Sequence, residues 1–353
     1  MTLRKIFLFC LPILSVIDAT AQFALVFQQK ERTPGVIEST CAGHEIYAMG
    51  MALQPEGKIL VTGGIRKSKS LDAAPYLARF EANGLPDTSF GRHGLGVSSI
   101  KYPSAGLEVF VMPKGAIVVV GSITSEGKRG ILLQRYLRNG IPDSLWGANG
   151  IQIKSIGACR DMPTAALLQP DGKFLVSGHS CPHDTLKLHC GSGYDWFIAR
   201  YLPDGRPDTG FGINGVVMER AAATSLGVAY EAYSLALQPD GIIVAAVDKQ
   251  IDYLLRLQPN GTVDSTFGEQ GWARSSIAFN PQRESRTLLA RSNRKLMHLG
   301  QFRQYVAQPD RITQGYIKWQ LEQFLPKGEI DAGFGDKGVV RSPLGPKQDA
   351  IYV

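Results

Sequence analysis

Five times along 353 residues the same punctuation returns: a tight turn ending in Gly, an Asp shortly after it, and an aromatic-Gly pair three residues further on. The copies run Asn83 to Gly91 with Asp87 and Phe90, Asn139 to Gly147 with Trp146, Asp204 to Gly212 with Phe211, Asn260 to Gly268 with Phe267, and Lys327 to Gly335 with Phe334. The aromatics stand 56, 65, 56 and 67 residues apart. A unit repeated at near-fixed spacing buries its core against its neighbours, so this period constrains the fold more than any other property of the chain.

Each period holds a second turn upstream of the first: Gln54-Pro55-Glu56-Gly57, Met112-Pro113-Lys114-Gly115, Gln169-Pro170-Asp171-Gly172 and Gln238-Pro239-Asp240-Gly241. The fifth copy reads Arg291-Ser292-Asn293-Arg294 there. Pro pre-sets the first turn position and Gly takes a positive φ, so these are hairpin turns. Apolar runs follow them (residues 59–62, 117–120, 174–176, 242–247 and 296–299) and read as strands buried on both faces. A second set precedes the Asn-Gly turn (76–80, 132–137, 197–202, 253–257 and 321–325), with further candidates at 233–237 and 215–220. The count is four strands per period with no convincing amphipathic helix.

This pattern predicts an all-β chain: a β-propeller of four-stranded antiparallel blades, five in number, with six as the alternative. The stretch from the Asn-Gly turn to the aromatic-Gly pair is expected to cross from one blade to the next, with the aromatics as plugs between blades. Arg79, Arg135, Arg200 and Arg256 each stand eight residues before Asp87, Asp143, Asp208 and Asp264, a spacing that fits either one ion pair per blade or Arg stems covering the strand edge. The fifth copy, with Gln323 before Asp331, puts that pairing in doubt. The Asp residues themselves are expected to cap turns.

The segments Ala52 to Val61 and Leu77 to Gly91 resemble the delta-60 repeat of bacterial β-propeller proteins, over residues 45–340. That resemblance implies an exported or cell-surface propeller without an established activity, and it brings no catalytic residues to carry over.

Residues 1–21 read as a signal peptide: Arg4 and Lys5, an apolar core from Ile6 to Ile17, and the small residues Ala19-Thr20-Ala21 before Gln22. Residues 22–353 are then a single propeller domain, with repeats near 23–90, 91–146, 147–211, 212–267 and 268–334 and a closing segment 335–353. The expected location is secreted, periplasmic or cell-surface, without a transmembrane segment in the mature chain. The net charge of +7 comes from scattered basic residues rather than a stripe interleaved with aromatics, so nucleic acid is not an expected partner.

Alternate connections of a meander emerge at opposite ends. Both repeated turns therefore share one face and the connections that differ between copies share the other, where function is expected. Cys41, Cys159, Cys181 and Cys190 all fall on that variable face. In an exported chain an even count favours disulfides, and Cys181 with Cys190 is the expected pair; Cys41 and Cys159 stay open. His179, His183 and His189 beside these cysteines invite a zinc reading, but no Cys-x-x-Cys spacing supports it, and neither metal nor cofactor is expected. Tyr194, Trp196, Phe302 and Tyr305 are candidate ligand-face aromatics, for an extracellular polysaccharide or protein. No nucleophile elbow, phosphate loop or His-Glu zinc motif appears. The expected function is a non-catalytic binding or cell-surface scaffold, and the alternative is an extracellular hydrolase or lyase with a polar, metal-assisted site at the propeller axis.

Overall fold

The computed structural model describes residues 44–67, 73–96, 98–157, 160–181, 194–219, 230–249, 252–277, 286–308 and 311–342, all strand, turn or loop. Residues 1–21, expected as a signal peptide, together with Cys41, Cys159, Cys190 and most of the expected closing segment, lie outside the described residues. The chain divides into two units, Met1–Lys154 and Ser155–Val353. The first unit holds β1 (His44–Leu53), β2 (Ile59–Lys67), β3 (Ala73–Phe80), β4 (Ser104–Val111), β5 (Ile117–Ser125), β6 (Lys128–Tyr136) and β7 (Ile151–Lys154). The second holds β8 (Arg160–Leu168), β9 (Phe174–Cys181), β10 (Asp195–Tyr201), β11 (Val216–Glu219), β12 (Glu231–Leu237), β13 (Ile243–Asp248), β14 (Asp252–Leu257), β15 (Trp272–Arg274), β16 (Arg286–Ala290), β17 (Leu296–Gln308), β18 (Arg311–Phe324) and β19 (Val339–Arg341).

Within each unit, every pairing between the described strands is antiparallel and follows chain order. In the first unit β1, β2 and β3 pair in sequence, as do β4 to β7. The second unit repeats the order over β8 to β11, β12 to β15 and β16 to β19. One expectation needs correction. The stretch from the Asn-Gly turn to the aromatic-Gly pair does not leave its sheet: it joins the third strand to a short fourth strand that pairs back beside it, as β14 does with β15.

The cause is a second tight turn three residues after each aromatic. His93, Asn149, Asn214, Gln270 and Lys337 have φ between 51° and 55°, and the Gly that follows each has φ between 81° and 97°. Two consecutive left-handed residues make the turn that matches strand twist, so the chain reverses and returns along its own strand. Both repeated turns still lie at one end of each sheet. A further regularity sits at the start of each sheet: the registers of β1, β4, β8 and β12 slip at Met49, Leu107, Thr164 and Tyr233, one residue in the same place of four repeats.

Three of the repeat aromatics, Phe90, Phe211 and Phe267, do bridge neighbouring sheets. Phe90 packs with Leu60 and Leu77 of its own repeat and Val109, Ile117 and Val119 of the next. Phe211 and Phe267 do the same one and two junctions along the second unit. Each ring lies on the Gly of the next repeat's turn. A Cβ on Gly140 would stand 2.8 Å from Phe90, and one on Gly261 would stand 2.9 Å from Phe211. The Gly and the aromatic of the signature are thus two halves of one joint.

Arginine completes it. Arg79, Arg200 and Arg256 donate from Nε to Asp87, Asp208 and Asp264 at 2.7, 2.9 and 2.8 Å. Their guanidinium carbons sit 4.3, 4.5 and 4.6 Å from the centres of Phe90, Phe211 and Phe267, a cation–π distance. From Nη1 they donate to carbonyls of the following repeat, those of Arg138, Pro259 and Pro326. In the fifth repeat Gln323 donates to Asp331 at 2.6 Å and Lys295 supplies the positive charge at 2.7 Å. The Asp residues also cap the turn, Asp264 accepting from Thr266 N at 3.1 Å. Burial raises the pKa of Asp208 and Asp264, but the donors around them outweigh it and hold both carboxyls below the usual range.

Candidate functional site

At the variable-loop end of the second unit, side chains from six strands and the loops beside them meet in one aromatic and ionic cluster. Lys249, just past β13, lies 3.8 Å from the centre of the Trp272 ring on β15 and pairs with Glu219 of β11 at 2.6 Å. Trp196 on β10 donates from Nε1 to the same carboxylate at 3.2 Å and meets Trp272 edge-on at 6.0 Å. Tyr253 on β14 approaches Trp272 from another edge at 6.1 Å. Beside them the Tyr230 backbone N–H donates to the Tyr194 carbonyl at 3.1 Å, and the Tyr194 ring contacts His179 of β9 at 4.7 Å. His179 in turn lies 3.3 Å from Glu231 of β12.

These residues follow from strand ends. Each sheet brings the end of its second strand and the start of its third to the variable side, so aromatics at those positions meet where loops begin. Lys249 is mostly covered and its charge is balanced by Glu219, whose side chain is 44% exposed. The cluster therefore offers half-buried tyrosines and one reachable carboxylate on a rigid base. Such a surface can stack against a ring and hydrogen-bond its hydroxyls.

Of the four expected ligand-face aromatics, Tyr194 and Trp196 come together here. Trp196 is 2% exposed and serves as the floor of the cluster rather than its surface. Phe302 and Tyr305 lie elsewhere, on a hairpin formed by the unusually long β17 and β18, where their backbones pair with Lys318 and Gly315. Cys181 ends β9 and is disulfide-bonded, while Cys190, its expected partner, lies outside the described residues. Sequence reasoning missed Lys249, Glu219 and Trp272. Two stand on strands and Lys249 on the loop after β13, and only the repeated aromatic-Gly spacing that fixes β11 and β15 could have aligned them.

A second polar group, centred on the fully buried His298 and Glu322, lies between the last two sheets. Ser275 donates to Glu322 at 2.7 Å and sits 3.3 Å from His298 Nδ1, while Tyr233 meets His298 Nε2 at 2.9 Å. Glu322 also accepts from the Ser276 hydroxyl and its backbone N–H, and from Gln320 at 3.0 Å. Burial raises the Glu322 pKa, but hydrogen bonds from His298, Ser276 and Ser275 outweigh it, leaving the carboxyl ionised below the usual range. Ser, His and an acid are all present, yet the serine gives its proton to the acid rather than to the imidazole. A hydrolytic triad needs the imidazole between them, so this arrangement is a structural network.

Among the described residues no group of three or more His, Cys, Asp or Glu is placed to hold a metal ion. In the first unit Glu108 stands apart: it lies on β4 where Gly50 of β1 brings the two backbones together, and burial alone pushes its carboxyl up to about 7.

Residues 54–90, 169–211 and 238–267 match the family model described as "Domain of unknown function (DUF5122) beta-propeller". The class of protein that the repeats and antiparallel sheets define is the β-propeller. No curated protein matches the sequence. Among solved structures, a member of the DUF4221 family from Bacteroides vulgatus is similar at 9% identity and TM-score 0.41, covering 84% of this chain and 82% of its own. The PQQ-bound aldose sugar dehydrogenase of Streptomyces coelicolor is similar at 14% identity and TM-score 0.37, covering 83% and 93%. The polysaccharide lyase Uly1 is similar at 11% identity and TM-score 0.40, covering 93% and 78%.

Proposed function

We propose that this chain is an exported binding or cell-surface scaffold, built as a propeller of five four-stranded blades of the delta-60 type, that holds an extracellular polysaccharide or protein on its variable-loop face. The observation that carries this reading is the cluster around Trp272, where Tyr194, Tyr230 and Tyr253 stand half-buried beside the reachable Glu219. A leader at residues 1–21 and a disulfide at Cys181 fit an oxidising compartment.

The test is a glycan array and a pull-down with residues 22–353, run beside Trp272→Ala and Glu219→Gln. Removing one stacking aromatic from such a surface weakens binding by about 1–3 kcal/mol, roughly tenfold or more. Binding by the wild type that survives both substitutions would overturn the site.

A second reading, a hydrolase or lyase, has one observation in its favour. Glu108 holds its proton near neutral pH and so has the pKa of a general acid. Release of new chain ends from a polysaccharide, lost in Glu108→Gln, would establish it.

A further inference from the structure

The place that Lys249 fills in the aromatic cluster is built like a cation site. Its ammonium lies 3.8 Å from the centre of the Trp272 ring and 5.9 Å from that of Tyr230, both within cation–π reach. It also meets both oxygens of one carboxylate, Glu219 Oε1 at 2.8 Å and Oε2 at 2.6 Å. Trp196 Nε1 holds that carboxylate in position at 3.2 Å. Aromatic faces beside a carboxylate are the groups that recognise an organic cation. Lys249 itself stands one residue past the end of β13, and its flexible four-carbon stem can withdraw the ammonium without moving a strand.

The charges around this seat have the sign a cation needs. At the variable-loop ends of the third and fourth sheets Asp161, Asp195, Glu231, Asp248 and Asp252 are at most 8% exposed, and Glu219 stands with them in reach of solvent. Among the described residues the bases at the same strand ends are Arg160, Arg274 and Lys249, so carboxylates are in excess. Buried charges are screened little by salt, and an excess of one sign draws ligands of the other. An anionic ligand would enter against that field, and Lys249 is already neutralised by Glu219.

We propose that the cluster takes the primary ammonium of an amino sugar in an extracellular polysaccharide, which replaces the Lys249 ammonium in its seat. This deepens the reading of the variable-loop face given above and rests on it. A pyranose carries its amine on the ring, so one sugar residue spans the step from a tyrosine face to the seat: the Tyr253 and Trp272 rings are 6.1 Å apart and the seat is 3.8 Å from Trp272. A lysine side chain would fill the seat and leave the tyrosines unused.

The experiment is isothermal titration of the full chain, Lys249→Met and Glu219→Gln with a glucosamine tetramer, the same tetramer fully N-acetylated, and tetralysine. With its own lysine in place the seat is open for a minor fraction of the time, so Lys249→Met should bind the glucosamine tetramer about tenfold or more tighter than the wild type. The N-acetylated tetramer should show no such gain, and Glu219→Gln should bind the two tetramers alike. In the wild type, raising salt from about 0.05 to about 0.5 M should weaken binding of the glucosamine tetramer alone, a readout that needs no variant. Lys249→Met that fails to gain affinity for the glucosamine tetramer, or wild-type binding of both tetramers with equal strength at every salt concentration, would overturn the ammonium assignment and leave the stacking surface standing. Tetralysine bound as tightly as the glucosamine tetramer would overturn the assignment to a sugar. If neither tetramer binds the wild type or Lys249→Met, the surface itself falls and the amino-sugar site with it.

Discussion

Gly261 tests the joint at the level of one residue. Its φ is +87°, and an added Cβ would stand 2.9 Å from both the Phe211 ring and Gly212 N. Gly127 has a similar φ of +75° with nothing within 4 Å. Ala at Gly127 meets only the left-handed backbone penalty, about 1–2 kcal/mol. Ala at Gly261 meets that and an overpacked ring, a further 1–3 kcal/mol or so. Urea unfolding of the two variants should separate them by that second amount, and equal losses would mean the ring does not depend on the glycine. Gln270 offers the opposite sign. It holds φ 52° where two other repeats carry Asn149 and Asn214, and Asn tolerates that region better than Gln. Gln270→Asn should therefore stabilise, by up to about 1 kcal/mol, in the same measurement.

Two carboxyls, set in different sheets, give the protein opposed pH dependences. Glu322 has its folded pKa lowered, so the stability it contributes is present above the ordinary value of 4.5 and is lost as pH falls through the folded value. Glu322→Gln should cost roughly 3 kcal/mol at neutral pH and flatten the acid limb of a Tm-against-pH curve. Glu108 has its folded pKa raised to about 7, so the folded state keeps a proton that the unfolded chain releases. Its effect is to lower stability as pH rises from 4.5 to about 7, and Glu108→Gln should remove that slope. A curve for Glu108→Gln parallel to the wild type would show that the carboxyl is solvated. Elements of these kinds differ in how far the sequence reveals them. Turns at Gly57, Gly172 and Gly241 are legible because Pro and Gly act locally, and the buried second strands are legible as apolar runs. The return of β15 onto β14 is not, because three residues from Trp272 to Arg274 carry little pattern and their pairing is decided by the left-handed pair Gln270-Gly271. The buried network escaped for a related reason: His298 and Glu322 occupy register positions that hold Ala245 and Leu255 in the fourth repeat, and polarity there contradicts the repeat.

For the molecule as a chain of repeats, stability is close to a sum of what each sheet contributes alone and what each joint adds. Arg256 belongs to both sums. It pairs with Asp264 and covers Phe267 inside its own repeat, and reaches the Pro326 carbonyl of the next. Lysine cannot hold all three at once, because its single ammonium lacks the planar fork of a guanidinium. Arg256→Lys should therefore loosen the fifth sheet from the fourth more than it weakens either sheet. Native-state hydrogen exchange reads this directly. Amides of β17 and β18 should open at a free energy below that of global unfolding, while those of β13 keep their protection. The last sheet is the one expected to separate, because within the second unit it shares a joint with the fourth sheet alone, whereas β13 lies in a sheet packed on both faces. Equal loss of protection in β13 and β17 would mean that the joint is not a separable term and that the second unit unfolds as one body.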